Sequence, residues 1–176
     1  IIIATGSKPG SLPFIELDKE RIITSTEALK LNEIPKHLII IGGGVIGLEL
    51  GQVYKRLGAE VSVIEYADRI TPSMDMSLSR ELMKVLKKQG VKFYLSHGVS
   101  NVKRNGKEIT VTANDKKGVS IEFKGDYCLV SVGRKPYTEG LNLSKVGIKK
   151  DSKGRIEVNK KLQTSISNIY AIGDVI

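Results

Sequence analysis

Cysteine is almost missing from this sequence: Cys128 is the only one in 176 residues. A single thiol cannot make a dithiol redox pair, a disulfide framework or a Cys-rich zinc site within the chain. It lies in Tyr127-Cys128-Leu129-Val130, a setting that reads as a buried, inert core thiol rather than a nucleophile. Tryptophan is absent and aromatic residues make up only 5%, too few for the stacking surface of a nucleic-acid binder. No apolar run reaches membrane-spanning length, and no N-terminal segment has signal-peptide architecture. The two histidines, His37 and His97, stand apart at element edges and read as structural or exposed. An initiator methionine is missing too. The chain starts in Ile1-Ile2-Ile3-Ala4 and stops at Asp174-Val175-Ile176, both apolar stretches, so the expectation is a piece of a longer protein.

What is present is lysine, glycine and aliphatic side chains. The formal charge is +9, but the basic pairs (Lys87-Lys88, Lys103-Arg104, Lys116-Lys117, Lys149-Lys150, Lys160-Lys161) are scattered. They read as a solvated surface rather than a nucleic-acid footprint, which would cluster on one face. A hydrophobic content of 40% can bury a core, and 18 glycines imply tight turns or close backbone approaches.

Ile1–Ala4 reads as a strand ended by a turn-rich break. A short helix is expected near Glu27–Leu31, with Ser25 or Thr26 placed to cap it. Leu38-Ile39-Ile40-Ile41 is a continuous apolar strand of the kind covered on both faces. A helix follows over about Val45–Leu57, with Ile46, Leu50, Val53, Tyr54 and Leu57 at helical spacing and Gly58 as its stop. Val61–Ile64 is the next strand. A second helix runs from Asp75 or Ser77 to Gln89, with Leu78, Leu82, Val85, Leu86 and Gln89 on its apolar face. Val91–Leu95 is a third strand. The period then changes to alternation over Val99–Arg104, Lys107–Ala113 and Val119–Phe123, with Asn105-Gly106 as a two-residue hairpin signal. Tyr127–Val132 returns as an apolar strand, and Asn168–Ile172 is a last one. The expected fold is α/β: a Rossmann-like parallel sheet whose third crossover is a three-stranded β-meander. No internal repeat or low-complexity tract occurs.

Gly42-Gly43-Gly44-Val45-Ile46-Gly47 matches G-x-G-x-x-G. Alone that pattern is weak. Here an apolar strand precedes it, a helix follows, and the second strand ends in an acid, Glu65. Gly42 permits the tight turn, Gly44 lets a pyrophosphate approach the backbone, and Gly47 lets helix pack on strand. The free amides and positive end of the helix face the phosphates. Glu65 is placed to accept hydrogen bonds from the adenosine ribose hydroxyls. The same carboxylate repels a 2′-phosphate, which favours NAD over NADP; Arg69 nearby is the counter-consideration.

Four segments together resemble the two-dinucleotide flavin disulfide reductases: Ile3-Ala4-Thr5-Gly6-Ser7, the Gly42–Glu49 loop, Val132-Gly133-Arg134-Lys135-Pro136, and Ile169-Tyr170-Ala171-Ile172-Gly173-Asp174. The resemblance covers essentially the whole chain, and the β-meander crossover fits that family's nicotinamide domain. Within it, Gly42–Gly51, Arg56–Val61, Leu86–Phe93 and Gly133–Thr138 are most similar to the dihydrolipoamide dehydrogenase branch. Glutathione-type relatives usually carry Asn after the Pro and basic residues near the ribose, where this chain has Tyr137 and Glu65.

The resemblance implies that residues 1–10 close a flavin-domain segment, that 11–137 form the NAD-binding domain, and that 138–176 return to the flavin or central domain. It implies that Gly42, Gly43, Gly44, Val45, Ile46, Gly47, Leu48 and Glu49 wrap the NAD pyrophosphate and reach towards the nicotinamide. Val45 would gate the nicotinamide pocket and Glu49 would lie near nicotinamide and flavin, unless Glu49 is simply a first-turn acid favoured by the helix dipole. Val99 borders the adenine, and Gly133 lets the chain pass close to NAD. Arg134 either orders that loop or is solvated. Asp174 would bond the ribitol of FAD, with Thr5, Gly6 and Ser7 also on the flavin side.

The flavin domain's own glycine loop, the Cys-x4-Cys pair and the His-Glu base of the family are not in this sequence. The expectation is therefore no reductase activity and little FAD from these residues alone. The resemblance further implies a homodimer serving 2-oxo acid dehydrogenase or glycine cleavage systems, in the cytoplasm or the mitochondrial matrix. Nucleic acid and membrane are not expected partners. Other substrates of the same family (glutathione, mercuric, transhydrogenase), a stand-alone NAD-binding regulatory module and a basic nucleic-acid module remain the alternatives.

Overall fold

The structure, a computed structural model, describes residues 1–176. Along the chain run β1 (Ile2–Ile3), β2 (Ser7–Pro9), β3 (Ile22–Ile23), the one-turn helix α1 (Ser25–Ala28), β4 (His37–Ile41), α2 (Val45–Arg56), β5 (Glu60–Ile64), α3 (Met76–Lys88) and β6 (Lys92–Tyr94). Then come β7 (Gly98–Asn105), β8 (Glu108–Asn114), β9 (Ser120–Gly125), β10 (Tyr127–Val130), β11 (Arg134–Pro136) and β12 (Tyr170–Ala171). They gather into two units, Ser11–Gly133 and Ile1–Gly10 with Arg134–Ile176.

The larger unit is built on a five-stranded sheet in the order β3-β10-β4-β5-β6, every neighbouring pair parallel. Its strands are apolar on both faces because both faces are covered. In β4, Leu38 and Ile40 join the core shared with α1, α2 and α3, while Ile39 and Ile41 join the core beneath Ile109, Val111, Ala113 and Phe123 of the meander. β10 repeats the alternation: Tyr127 and Leu129 face the helices, Cys128 and Val130 the meander. The α2 crossover links β4 to β5 and the α3 crossover links β5 to β6. The antiparallel meander β7-β8-β9 then carries the chain back to β10. The Rossmann-like α/β architecture and the meander crossover read from the sequence are both present.

Several local expectations are corrected. Thr24, not Ser25 or Thr26, caps α1: its hydroxyl accepts from the Thr26 amide, and the Glu27 carboxylate accepts from the Thr24 amide. The face of α2 is turned from the one its large apolar residues define. Gly47, Leu48, Leu50, Gly51 and Tyr54 are buried, while Val53 and Leu57 are about half exposed. The two glycines mark the line of closest approach to the sheet, where a Cβ at Gly51 would come within 2.7 Å of Ile40 Cδ1. On α3 only Ser79 and Leu86 are buried, and Leu78 and Val85 face outward. The β7–β8 loop is Gly106-Lys107, since Asn105 still pairs with Glu108. Gly106, at φ +62°, takes the first loop position, as in a type II′ turn. Val132 lies outside β10, and the last strand is only Tyr170–Ala171.

In the smaller unit β1 pairs in parallel with β12, and β2 pairs with β11 in antiparallel. β11, paired with β2, belongs to this smaller unit, which resumes at Arg134. Its core is Leu143, Ile148, Ile156, Ala171 and Val175.

Candidate functional site

β4 ends at Ile41, and the chain must turn at once to start α2 at Val45. Gly42 makes that turn at φ +104°, and a Cβ there would sit 2.5 Å from the Ser131 carbonyl oxygen. Its amide is held by Ile64 O at 2.9 Å. Gly47 is the contact point between helix and strand: a Cβ would meet Gly42 O and Ser131 Oγ, both at 2.5 Å. Gly44 is different. It is the N-cap of α2 with ordinary extended backbone and no side-chain cap, and a Cβ there would meet nothing within 4 Å. The first amide turned back into the helix is that of Leu48, bonded to Gly44 O at 3.1 Å. The amides of Val45, Ile46 and Gly47 precede it, so the positive end of a three-turn helix opens on free space. That arrangement can hold an anion.

Beside this turn stands Glu65, one residue past β5. Its Oε2 accepts from the Gly43 amide at 2.6 Å and its Oε1 from the Ala67 amide at 2.7 Å. A carboxylate offers about four lone-pair sites, so two stay free for hydroxyl donors. The carboxylate is thus fixed in place by the glycine turn and still has acceptor capacity facing outward. Thr71, whose amide bonds Gly43 O at 2.8 Å, closes the other side of the turn. Arg69 donates to Pro72 O at 2.8 Å, which ties it to its own loop. Val99, half-buried at the start of β7, adjoins the same segment, because His97 N donates to Glu65 O at 3.0 Å.

Val45 and Glu49 are both exposed. Glu49 lies beyond the first turn of α2, which holds no acid, so the dipole explanation for it falls away. Gly133 sits at φ +120°, a conformation that needs glycine whatever lies nearby. Arg134 is engaged rather than solvated: Nε donates to Ser7 Oγ and Nη2 to Ser7 O, each at 2.6 Å. Ser7 Oγ donates in turn to Asp174 Oδ2 at 2.7 Å, Thr5 Oγ1 donates to Tyr137 O at 2.6 Å, and Gly6 takes φ +69°. The smaller unit therefore joins Ser7, Arg134 and Asp174 in one hydrogen-bonded cluster, while Thr5 and Gly6, next in the chain, bond to Tyr137.

Ser131 is the residue that sequence reading missed. Its hydroxyl, just past β10, donates to Ile41 O at 3.0 Å and Gly42 O at 3.1 Å, so it fastens the turn from below. Only the parallel pairing of β10 with β4 brings it there. Cys128 is fully buried, and burial pushes its thiol pKa far up. A concavity of about 680 Å³ opens at the other ends of the strands, beside Tyr127. Its arginines are already paired, Arg21 with Glu33 at 2.9 Å and Arg104 with Glu20 at 2.7 Å.

The family described as pyridine nucleotide-disulphide oxidoreductase matches residues 1–176. The mitochondrial dihydrolipoyl dehydrogenase of Pisum sativum is 47% identical over 177 aligned residues, which take in 100% of this chain and 35% of that protein. The leghemoglobin reductase of Glycine max is also 47% identical over 177 residues, 100% of this chain and 34% of that protein. Among solved structures, LpdA from Mycobacterium tuberculosis matches with a TM-score of 0.87 at 33% identity, covering 99% of this chain and 37% of that one. The chain spans about a third of the length of these relatives.

Proposed function

Since the chain belongs to the pyridine nucleotide-disulphide oxidoreductase family and is similar to a dihydrolipoyl dehydrogenase over its whole length, we propose that its larger unit holds NAD(H). It would do so for hydride exchange with FAD in a flavoprotein that oxidises protein-bound dihydrolipoamide. The observation that carries this reading is the Glu65 carboxylate 2.6 Å from the Gly43 amide. A diphosphate donor set and a ribose acceptor then lie side by side at the carboxyl end of a parallel sheet, where such folds take their ligands. The open space at Gly44 fits a pyrophosphate against the backbone.

In this reading the amides of Val45, Ile46 and Gly47 hold the diphosphate, with Gly42 and Gly43 shaping the turn and Leu48 anchoring the helix behind it. Glu65 accepts from the ribose diol and Val99 borders the adenine. Val45, Glu49 and Gly133 lie along the path towards the nicotinamide. Asp174, Ser7, Thr5 and Gly6 serve FAD in the smaller unit, with Arg134 fixing Ser7. The dinucleotides supply the redox chemistry when bound, and the residues of this chain bind and orient them. The Glu65 carboxylate repels a 2′-phosphate, so the cofactor is NAD rather than NADP. Two relatives with different activities in their names are equally identical to this chain. Choice of redox partner therefore belongs to parts of the protein outside these residues, and dihydrolipoamide, with a homodimer in a 2-oxo acid dehydrogenase or glycine cleavage system, is proposed from the similarity alone.

Titration with NADH and NADPH tests the site. The chain should give a saturable NADH complex and a much weaker one with NADPH. Glu65→Arg should weaken NADH by ~10- to 100-fold, the worth of hydrogen bonds to a charged group, and ease NADPH binding. An unchanged preference would remove the ribose assignment.

A further inference from the structure

Glu65 holds only one of the two backbone groups of Gly43. Its carboxylate accepts from the Gly43 amide at 2.6 Å, while the Gly43 carbonyl accepts from the Thr71 amide at 2.8 Å. The loop between β5 and α3 therefore grips that glycine from both sides. Thr71 makes its donation in a conformation that its chemistry opposes, at φ +42°. A β-branched side chain fits that region poorly, and the residue before a proline, here Pro72, is pushed towards extended backbone with negative φ. Five non-glycine residues have positive φ: Lys19, Thr71, Ser96, Asn142 and Leu162. Thr71 alone among them is buried, so it is no ordinary surface turn.

A pair of hydroxyls sealed from water holds it there. Thr71 Oγ1 lies 2.9 Å from Ser79 Oγ, and Ser79 Oγ donates to Thr71 O at 3.3 Å. Ser79 and Leu86 are the residues that α3 buries, so half of that buried set serves to latch Thr71. Backbone strain kept in place by its surroundings clusters at sites that position a ligand. The next peptide bond shows what is positioned here. The Gly43–Gly44 peptide is trans, and in a trans peptide the C=O of one residue and the N–H of the next point in opposite directions. Gly43 O is drawn towards Thr71, so the Gly44 N–H is turned away from that loop. No group of the protein accepts from the Gly44 amide, and an added Cβ at Gly44 would meet nothing within 4 Å. Without the Thr71 bond this peptide could rotate freely, since neither glycine has a side chain to resist the change.

We propose that Thr71 is a positioning residue of the dinucleotide site: its strained backbone, latched by Ser79, fixes the Gly43–Gly44 peptide so that the Gly44 amide faces the diphosphate. This rests on the NAD(H) reading above. The test measures NADH affinity of the full chain by fluorescence titration, with a thermal melt of each variant. Thr71→Val keeps the shape and the strain but removes the latch, so NADH should bind ~10-fold more weakly, the worth of one hydrogen bond to a charged group. Ser79→Ala should lose as much. Thr71→Gly adopts positive φ without a latch and should bind NADH as the unaltered chain does, and adding Thr71→Gly to Ser79→Ala should restore the affinity. A role confined to packing predicts the reverse ranking, because valine fills the place of threonine and glycine empties it. Native affinity in Thr71→Val or Ser79→Ala, or a greater loss in Thr71→Gly than in Thr71→Val, would overturn the proposal and leave the NAD(H) reading standing. Should Thr71→Val fail to fold, Ser79→Ala with and without Thr71→Gly decides the matter by itself. An unaltered chain that forms no saturable NADH complex overturns both.

Discussion

A methyl group added at Gly44 meets nothing within 4 Å, whereas one added at Gly47 runs into Gly42 O and Ser131 Oγ, both at 2.5 Å. The two positions separate binding from folding. Gly44→Ala should lose no more than about 1 kcal/mol, because its methyl meets nothing and the only loss is exchange of a glycine N-cap for a poorer one. Its methyl would stand in the space offered to phosphate, so NADH affinity should fall at least ~10-fold, read by fluorescence titration. Gly47→Ala should lose ~1–3 kcal/mol of stability from overpacking, together with its NADH binding. Ser131→Ala removes the one hydroxyl proton shared between Ile41 O and Gly42 O and should cost ~1 kcal/mol, seen in the same urea titration. The glycines and Glu65 are legible in sequence because their spacing between strand and helix is itself the signal. Ser131 is not. A serine after an apolar strand carries no mark of its partner until the sheet order puts β10 beside β4.

At the level of elements, hydrophobic period found α2 and α3 and part of each face: Ile46, Leu50, Tyr54, Leu82 and Leu86 pack in the core, whereas Val53, Leu57, Leu78 and Val85 do not. Counting large apolar side chains pointed α2 towards Val53 and Leu57, while the line of contact in fact runs through Gly47 and Gly51, which the count ignores. On α3, Ser79 is buried because its hydroxyl bonds Thr71 Oγ1 at 2.9 Å, a polar contact that period analysis treats as solvent-facing. The cap of α1 was missed by one residue although Thr24 and Glu27 have the capping-box spacing. Burial pushes the Glu27 carboxyl up, but the Thr24 hydroxyl and amide outweigh it and hold its pKa below the ordinary value. Thr24→Ala should cost ~1 kcal/mol, measured by urea unfolding. The loop shift at Gly106 has a similar origin: Asn-Gly is a turn signal, but β7 continues through its Asn105, and the glycine alone supplies the positive φ.

Across the larger unit as a whole, the fold class was readable because unbroken aliphatic runs occur only where a strand is covered twice, as β4 and β10 are. The same double cover makes Cys128 a reporter. Its thiol should react with an exchange reagent only when the unit opens, so the labelling rate should follow unfolding as denaturant is raised. Asp18 ties the loop before β3 to β7: its carboxylate accepts from the amides of Glu20, Arg21 and Ile22 and from Arg104. Burial raises its pKa, but these donors prevail and hold it below the ordinary 3.8. The stabilisation is complete above that value and disappears as pH falls through the lower, folded-state pKa. The stability gap between the native chain and Asp18→Ala should therefore narrow on acidification past 3.8, followed by thermal melts at stepped pH. Finally, β10 is the last strand of its sheet to be synthesised, yet it sits between β3 and β4. A nascent chain halted before Tyr127 would leave a slot about 10 Å wide between them, twice the spacing of adjacent strands. Both rims of that slot would carry unpaired amides and carbonyls, an invitation to pair with a neighbouring copy. Truncation from the C-terminal side is bounded accordingly: anything cut short of Val130 yields a sticky half-sheet, not a smaller nucleotide binder.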